Sequence, residues 1–213
     1  NDVVPCSLGC TFDFGFAVGP MVPPSVRNLE EFLAWAKANP GNANFGSPGA
    51  GAMPHFMGSL IAKARGVDLK HVPYRGTQPA ILEMIGGTIP AVSGPIGEFT
   101  QHVAAGKARL LAASGAQRSR FAPNAPTLLE QGFKDMVFSE WFGFFLPAGA
   151  SAEVINRVNA ALRTSLADRE TIDGLAQMGL EAKSSSPAEL GAMLKADFEK
   201  WGPLVKAVGF TVD

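Results

Sequence analysis

Runs of like charge, long apolar stretches and reactive side chains are all scarce in this chain of 213 residues. Tyrosine occurs once, cysteine twice and histidine three times, and 18 Lys+Arg nearly balance 19 Asp+Glu. A formal net charge of −1 provides no basic field for a phosphate backbone, which argues against nucleic acid as a partner. No apolar run approaches the ~20 residues that span a bilayer, so the chain is not expected to be membrane-spanning. The three histidines, His55, His71 and His102, lack metal-pair spacing, and neither a metal nor a cofactor is expected. Cys6 and Cys10 lie four residues apart, which is not the C-x-x-C of a redox or metal pair. Two buried free thiols and a disulfide both stay open.

Sharper catalytic motifs are also missing. A dinucleotide-binding G-x-G-x-x-G beginning at Gly49 and Gly51 would need glycine where Pro54 stands. A P-loop needs Gly-Lys-Ser/Thr, and no lysine follows the glycines before Lys63. A nucleophile elbow around Ser47 fails because position 45 is Phe45. No catalytic residue is therefore assigned.

What remains suits a folded α/β protein. Hydrophobic residues make up 46% and charged residues 17%, enough apolar surface to bury a core. Short apolar runs alternate with amphipathic segments. Strands are expected at 11–18, 43–46, 69–74, 88–93, 108–113 and 137–146. Helices are expected at 28–39, 54–65, 78–85, 96–105, 127–131, 151–166 and 169–178, with a last one opening at Ser186. Asn28 with Glu31, and Ser186 with Glu189, have capping-box spacing. The last helix should present Leu190, Met193, Leu194, Phe198, Trp201, Leu204, Val205 and Val208 on one apolar face, kinked at Pro203. The chain opens on Asn1 rather than Met and enters a strand almost at once, so further sequence is expected ahead of it.

Three strands, ending near Gly46, Tyr74 and Ser93, each pass through a small-residue loop into a helix. Ligands of open α/β sheets bind beyond the carboxyl ends of strands. There a helix N-terminus offers unpaired N–H groups and about half a positive charge, and glycine lets a ligand approach the backbone. This is an anion site that needs no cationic side chain. The candidate ligand-binding residues are Ser47, Gly49, Ala50, Gly51, Ala52, Met53, His55, Tyr74, Arg75, Ser93 and Gly94. For His55 a capping role and a lining role are both open, and for Tyr74 packing and ligand contact. Arg75 can pair with a carboxylate or stay in solvent. His71 is read as a satisfied strand histidine.

An ordered set of short motifs resembles one family. Asn44-Phe-Gly-Ser-Pro-Gly-Ala-Gly51 leads to His55, and His71-Val-Pro-Tyr-Arg-Gly76 follows. Then come Ala125-Pro-Thr127, Trp141-Phe-Gly143, Pro147-Ala-Gly149 and Lys200-Trp-Gly202. Together they resemble the periplasmic solute receptors of tripartite tricarboxylate transporters, the Bug or TctC-like family. The resemblance implies a type II periplasmic-binding-protein-like α/β fold, with two lobes whose mixed or parallel sheets are flanked by helices. Residues 1–15 would be a remnant of the first lobe and 16–136 the second lobe. Residues 137–213 would be a crossing strand and C-terminal helices returning to the first lobe.

The resemblance further implies a periplasmic, non-enzymatic protein that captures a small carboxylate and presents it to membrane transporter subunits. Ser93-Gly94 stands where many members have an acidic residue, which favours a plain carboxylic acid with an apolar middle over an amino acid. Two alternatives come from other classes. One is a ligand-sensing module that signals to a membrane kinase, and the other is a small hydrolase using Ser47 and a histidine.

Overall fold

A computed structural model of the chain describes residues 2–134 and 136–208, with side chains through 203. The chain forms two compact units. One comprises Asn1–Phe12 and Glu140–Ala207. The other comprises Asp13–Ser139 together with the described Val208. Strand β1 (Val3–Val18) runs through both, and it is longer than the strand expected at 11–18. Its earlier residues Cys6–Cys10 are buried on both faces, so they carry no two-residue alternation for a sequence reading to detect.

The larger unit carries β2 (Asn44–Ser47), β3 (Lys70–Pro73), β4 (Ala91–Pro95) and β5 (Arg109–Ala113), in sheet order β3-β2-β4-β1-β5. β2 is parallel to β3 and to β4, whereas β1 is antiparallel to β4 and β5. The helices are α1 (Leu29–Ala38), α2 (Met53–Ala64), α3 (Thr77–Ile85) and α4 (Ile96–Ala104). Side chains alternate across the sheet. On one face Phe16, Phe32 of α1 and Phe45 are fully buried, with ring centroids 5.3 Å (Phe16–Phe32) and 6.1 Å (Phe16–Phe45) apart. On the other face Ala17, Ala80, Ile81, Met84, Val92 and Phe99 form a cluster with α3 and α4. α2 comes so close to β2 that a Cβ on Gly58 would lie 2.2 Å from the Phe45 ring.

In the smaller unit the first part of β1 pairs with β6 (Ser139–Pro147) and with β7 (Glu181–Ala182). Helices α5 (Ala152–Ala167), α6 (Arg169–Gln177) and α7 (Pro187–Val208) complete it. Buried Asn159 of α5 donates from Nδ2 to the carbonyls of Cys6 (2.8 Å) and Ser185 (2.7 Å), tying three segments together. Cys6 and Cys10 are buried free thiols. Four residues of strand separate them by about 13 Å, beyond the ~7 Å limit for a disulfide.

Two sequence expectations are corrected. Residues 127–131 form no helix: Thr127 bridges to Ala113 of the sheet, and only a turn follows. Thr127 and Glu130 do exchange reciprocal capping bonds, but Gly132 adopts φ +78° and the segment ends after one turn. The apolar face expected on α7 is only partly covered. Leu190 is fully buried, whereas Leu194 and Phe198 are 46% and 83% exposed. Leu190 packs against β6, its Cδ1 3.1 Å from where a Cβ on Gly143 would sit. The helix continues through Pro203, and the side chains of Leu204, Val205 and Val208 lie outside the described residues. Among the described residues no helix is long and apolar enough to cross a membrane.

Candidate functional site

Strands β3, β2 and β4 lie side by side, run the same way, and each is followed by a helix. The N-termini of α2, α3 and α4 therefore open at the same end of the sheet. None of the three has a side-chain cap; their N-cap residues are Ala52, Gly76 and Pro95. The remaining α-helices are capped by Asn28, Ser151, Asp168 and Ser186. Orphan amide donors are thus concentrated at one edge of the larger unit, where the three positive helix ends add.

The loop between β2 and α2 is held from within. Ser47 is fully buried, and its Oγ lies 2.7 Å from His71 Nε2 and 3.2 Å from the Gly49 carbonyl oxygen. The strand register explains the first contact. Ser47 pairs with Pro73, so His71, two residues earlier, projects from the same face. The amide of Gly51 donates to His55 Nδ1 at 3.1 Å, which requires that nitrogen to be unprotonated. The His55 and His71 rings stack with centroids 3.9 Å apart and 24° between planes, and His71 also meets Phe45 at 5.2 Å. Burial, and then the neighbouring His55, lower the His71 pKa from 6.5 to about 4; burial also lowers that of His55. The loop thus rests on two neutral imidazoles. Gly49 (φ +131°) and Gly51 (φ +79°) hold backbone conformations that residues with a Cβ rarely adopt.

The amides of Gly49 and Gly51 are occupied within the loop, by the Ser47 carbonyl and by His55. Ala50, Ala52 and Met53 lead into the uncapped start of α2. Tyr74 donates its amide to the Ser47 carbonyl at 2.9 Å, and its ring packs on the cluster around Ala80 and Ile81. Burial, with a smaller contribution from Glu83, raises its phenol pKa. Arg75 is exposed and forms no ion pair among the described residues.

Ser93 is fully buried, and its Oγ has no hydrogen-bond partner among the described residues. Since Gly46 pairs with Val92, Ser93 stands level with Ser47 and on the same face. Gly94 is pressed against α3; a Cβ there would be 2.4 Å from Thr77 Cγ2. His71 is not among the expected site residues, and neither is Thr77, which is buried at the first position of α3. The two-residue parity between His71 and the strand end was the available signal for the former. Among the described residues no group of three or more His, Cys, Asp or Glu is arranged to hold a metal ion.

This arrangement, a mixed sheet flanked by helices with an edge of open helix N-termini, is the α/β fold of periplasmic binding proteins. The chain belongs to the tripartite tricarboxylate transporter family receptors, whose family model matches residues 8–210. A Pseudomonas protein named for the tcbD–tcbE intergenic region is 29% identical over 96% of this chain and 61% of its own length. The structure of the periplasmic binding protein BugD is 27% identical and superposes with a TM-score of 0.86 over 97% of this chain and 69% of that one. An R. palustris protein solved with adipate is 22% identical, with a TM-score of 0.88 over 98% and 69% of the two chains, and shares the fold. The chain therefore spans about three fifths of the length of the Pseudomonas relative it matches.

Proposed function

We propose that this chain is the ligand-binding part of an extracytoplasmic, periplasmic receptor that captures a small carboxylate for a tripartite-type transporter, without catalysis. The observation that carries this reading is the row of three uncapped helix N-termini at the ends of β3, β2 and β4. A carboxylate there would accept the free amides of α2, α3 and α4, and the Ser93 hydroxyl would supply a further donor. Hydrogen bonds to a charged acceptor are worth roughly 1.5–3 kcal/mol each, so two or three of them approach the ~8 kcal/mol of micromolar binding once apolar contacts are added. Family membership supports the same reading, as does the adipate in the R. palustris relative, a small dicarboxylate with an apolar middle.

The Ser47–His71 pair is the one feature that favours a hydrolase. It is better read as an anchor for the loop. Ser47 is fully buried, and a histidine with a pKa of about 4 is a weak general base at neutral pH. The ring also packs against Phe45 and stacks on His55.

A thermal-shift screen of this chain and of a full-length form against mono-, di- and tricarboxylates tests the proposal. Stabilisation without turnover is expected; a ligand at 100 times its dissociation constant adds about 2.7 kcal/mol. If no carboxylate shifts melting of the full-length form, the receptor reading fails. Hydrolysis of an ester that disappears in Ser47→Ala would replace it with the enzyme reading.

A further inference from the structure

The larger unit holds a cavity of about 560 Å³, lined by none of the candidate ligand-binding residues. That volume falls within the roughly 300–1,000 Å³ typical of small-molecule sites. The cavity lies along β5, between α4 and the segment around Phe121. Val103, Leu110, Phe121 and Pro123 give it apolar walls, and among the described residues Arg109 is the only charged one lining it. Ala122 and Ala125 belong to a packed cluster with Ile96 and Ala113, so the floor is part of the core.

Arg109 is placed by its strand. It opens β5 opposite Val18, whose other partner, Ala91, opens β4. The cavity's guanidinium is therefore at the amino end of the parallel strands, whereas the proposed carboxylate site is at their carboxyl end. Both hydrogen bonds of Arg109 leave from Nη2, to the carbonyls of Val22 and Pro23 at 3.0 Å each. They fix the guanidinium in position. Its Nε is buried and meets no acceptor, and no Asp or Glu lines the cavity among the described residues. A partly desolvated cation without a carboxylate partner is costly, and a planar anion is the group that relieves it. Burial accordingly lowers the Arg109 pKa.

We infer that this cavity is a second binding site, taking a small anion with an apolar body whose carboxylate meets Arg109 and whose chain lies against Leu110 and Phe121. A purely structural role for Arg109 would need only the two carbonyl bonds; it does not account for an open apolar cavity whose wall holds a cation and, among the described residues, no carboxylate.

Methyl-labelled NMR of the whole chain, titrated with hexanoate and separately with hexanol, tests the site. Hexanoate is expected to shift the methyl signals of Val103, Leu110 and Ala122, with an affinity at least tenfold above that of hexanol. Val103 lies at the rim, 36% exposed, so Val103→Glu should keep the fold and place a competing carboxylate over Arg109. Loss of hexanoate binding in Val103→Glu and its retention in Val103→Gln is the expected pattern. Arg109→Gln should erase the preference for the anion. Gly51→Leu, in the other site, should leave these shifts unchanged, so failure here is separable from failure of the receptor reading. The inference is overturned if these methyls do not move, if hexanol binds as well as hexanoate, or if Val103→Glu binds hexanoate like the parent chain.

Discussion

His71 Nε2 lies 2.7 Å from Ser47 Oγ, and this one contact couples the end of β2 to its neighbour β3 beneath the glycine loop. Ser47 also reaches the Gly49 carbonyl, and the stacked His55 takes the Gly51 amide, so the loop from 47 to 51 is braced at both ends. The brace is made of uncharged groups, which leaves the positive helix end of α2 unneutralised.

Breaking that contact should cost stability. Ser47→Ala leaves a half-buried imidazole nitrogen without its partner, and a loss of about 1–3 kcal/mol is expected. Urea denaturation should show a lower midpoint with an unchanged slope. A Ser47→Ala variant as stable as the parent would mean that the hydrogen bond contributes nothing net.

Acid should weaken the same region. The folded-state pKa of His71 is depressed from 6.5 to about 4, so between those values the unfolded chain binds more protons than the folded one. Stability is fully present above pH 6.5, falls as pH drops toward 4, and levels off below that. The ring keeps some solvent contact, so the loss is discounted to roughly 1–2 kcal/mol. His55, shifted in the same direction, adds to it, because a proton on Nδ1 removes the acceptor for the Gly51 amide. Denaturation midpoints measured from pH 4 to 8 should show this slope, and His71→Gln should flatten it.

Gly51→Leu should abolish carboxylate binding with little loss of fold. Its φ of +79° costs a residue with a Cβ about 1–2 kcal/mol, and the added side chain would crowd the N-terminus of α2. Calorimetric titration with the carboxylate giving the largest thermal shift would check this; unchanged affinity would place the site elsewhere.

Gly58→Ala and Gly174→Ala should differ in sign. At Gly58 the new methyl meets the buried Phe45 ring at 2.2 Å, so a loss of about 1–3 kcal/mol is expected. At Gly174, inside α6, nothing lies within 4 Å, and the helix preference of alanine should stabilise by up to ~1 kcal/mol. Thermal melts of the two variants compare them directly.

Local signals carried much of the fold. Asn28 caps α1 by accepting the Glu31 amide, as the spacing implied, although the Glu31 carboxylate takes the Arg27 amide rather than that of Asn28. Ser186 and Glu189 form the full reciprocal box. The helix expected at 54–65 is α2 (Met53–Ala64), with Phe56, Met57 and Ile61 buried. The same kind of signal failed at Thr127 and Glu130, where a sheet bridge to Ala113 leaves room for a single turn. It failed again at Leu194 and Phe198, because a periodic apolar stripe says that a helix can bury a face, not that anything covers it.

The sequence by itself determined the α/β class, the succession of strand, small-residue loop and helix, and the glycines at 49 and 51. These follow from residue-by-residue propensities and spacings a few positions long. Only the tertiary structure decided that β3, β2 and β4 lie side by side, so that three uncapped helix ends share one edge. It alone brought His71 to Ser47 across 24 residues and left the Ser93 hydroxyl buried without a partner. Strand order and register arise from long-range packing, and no spacing within a single segment encodes them.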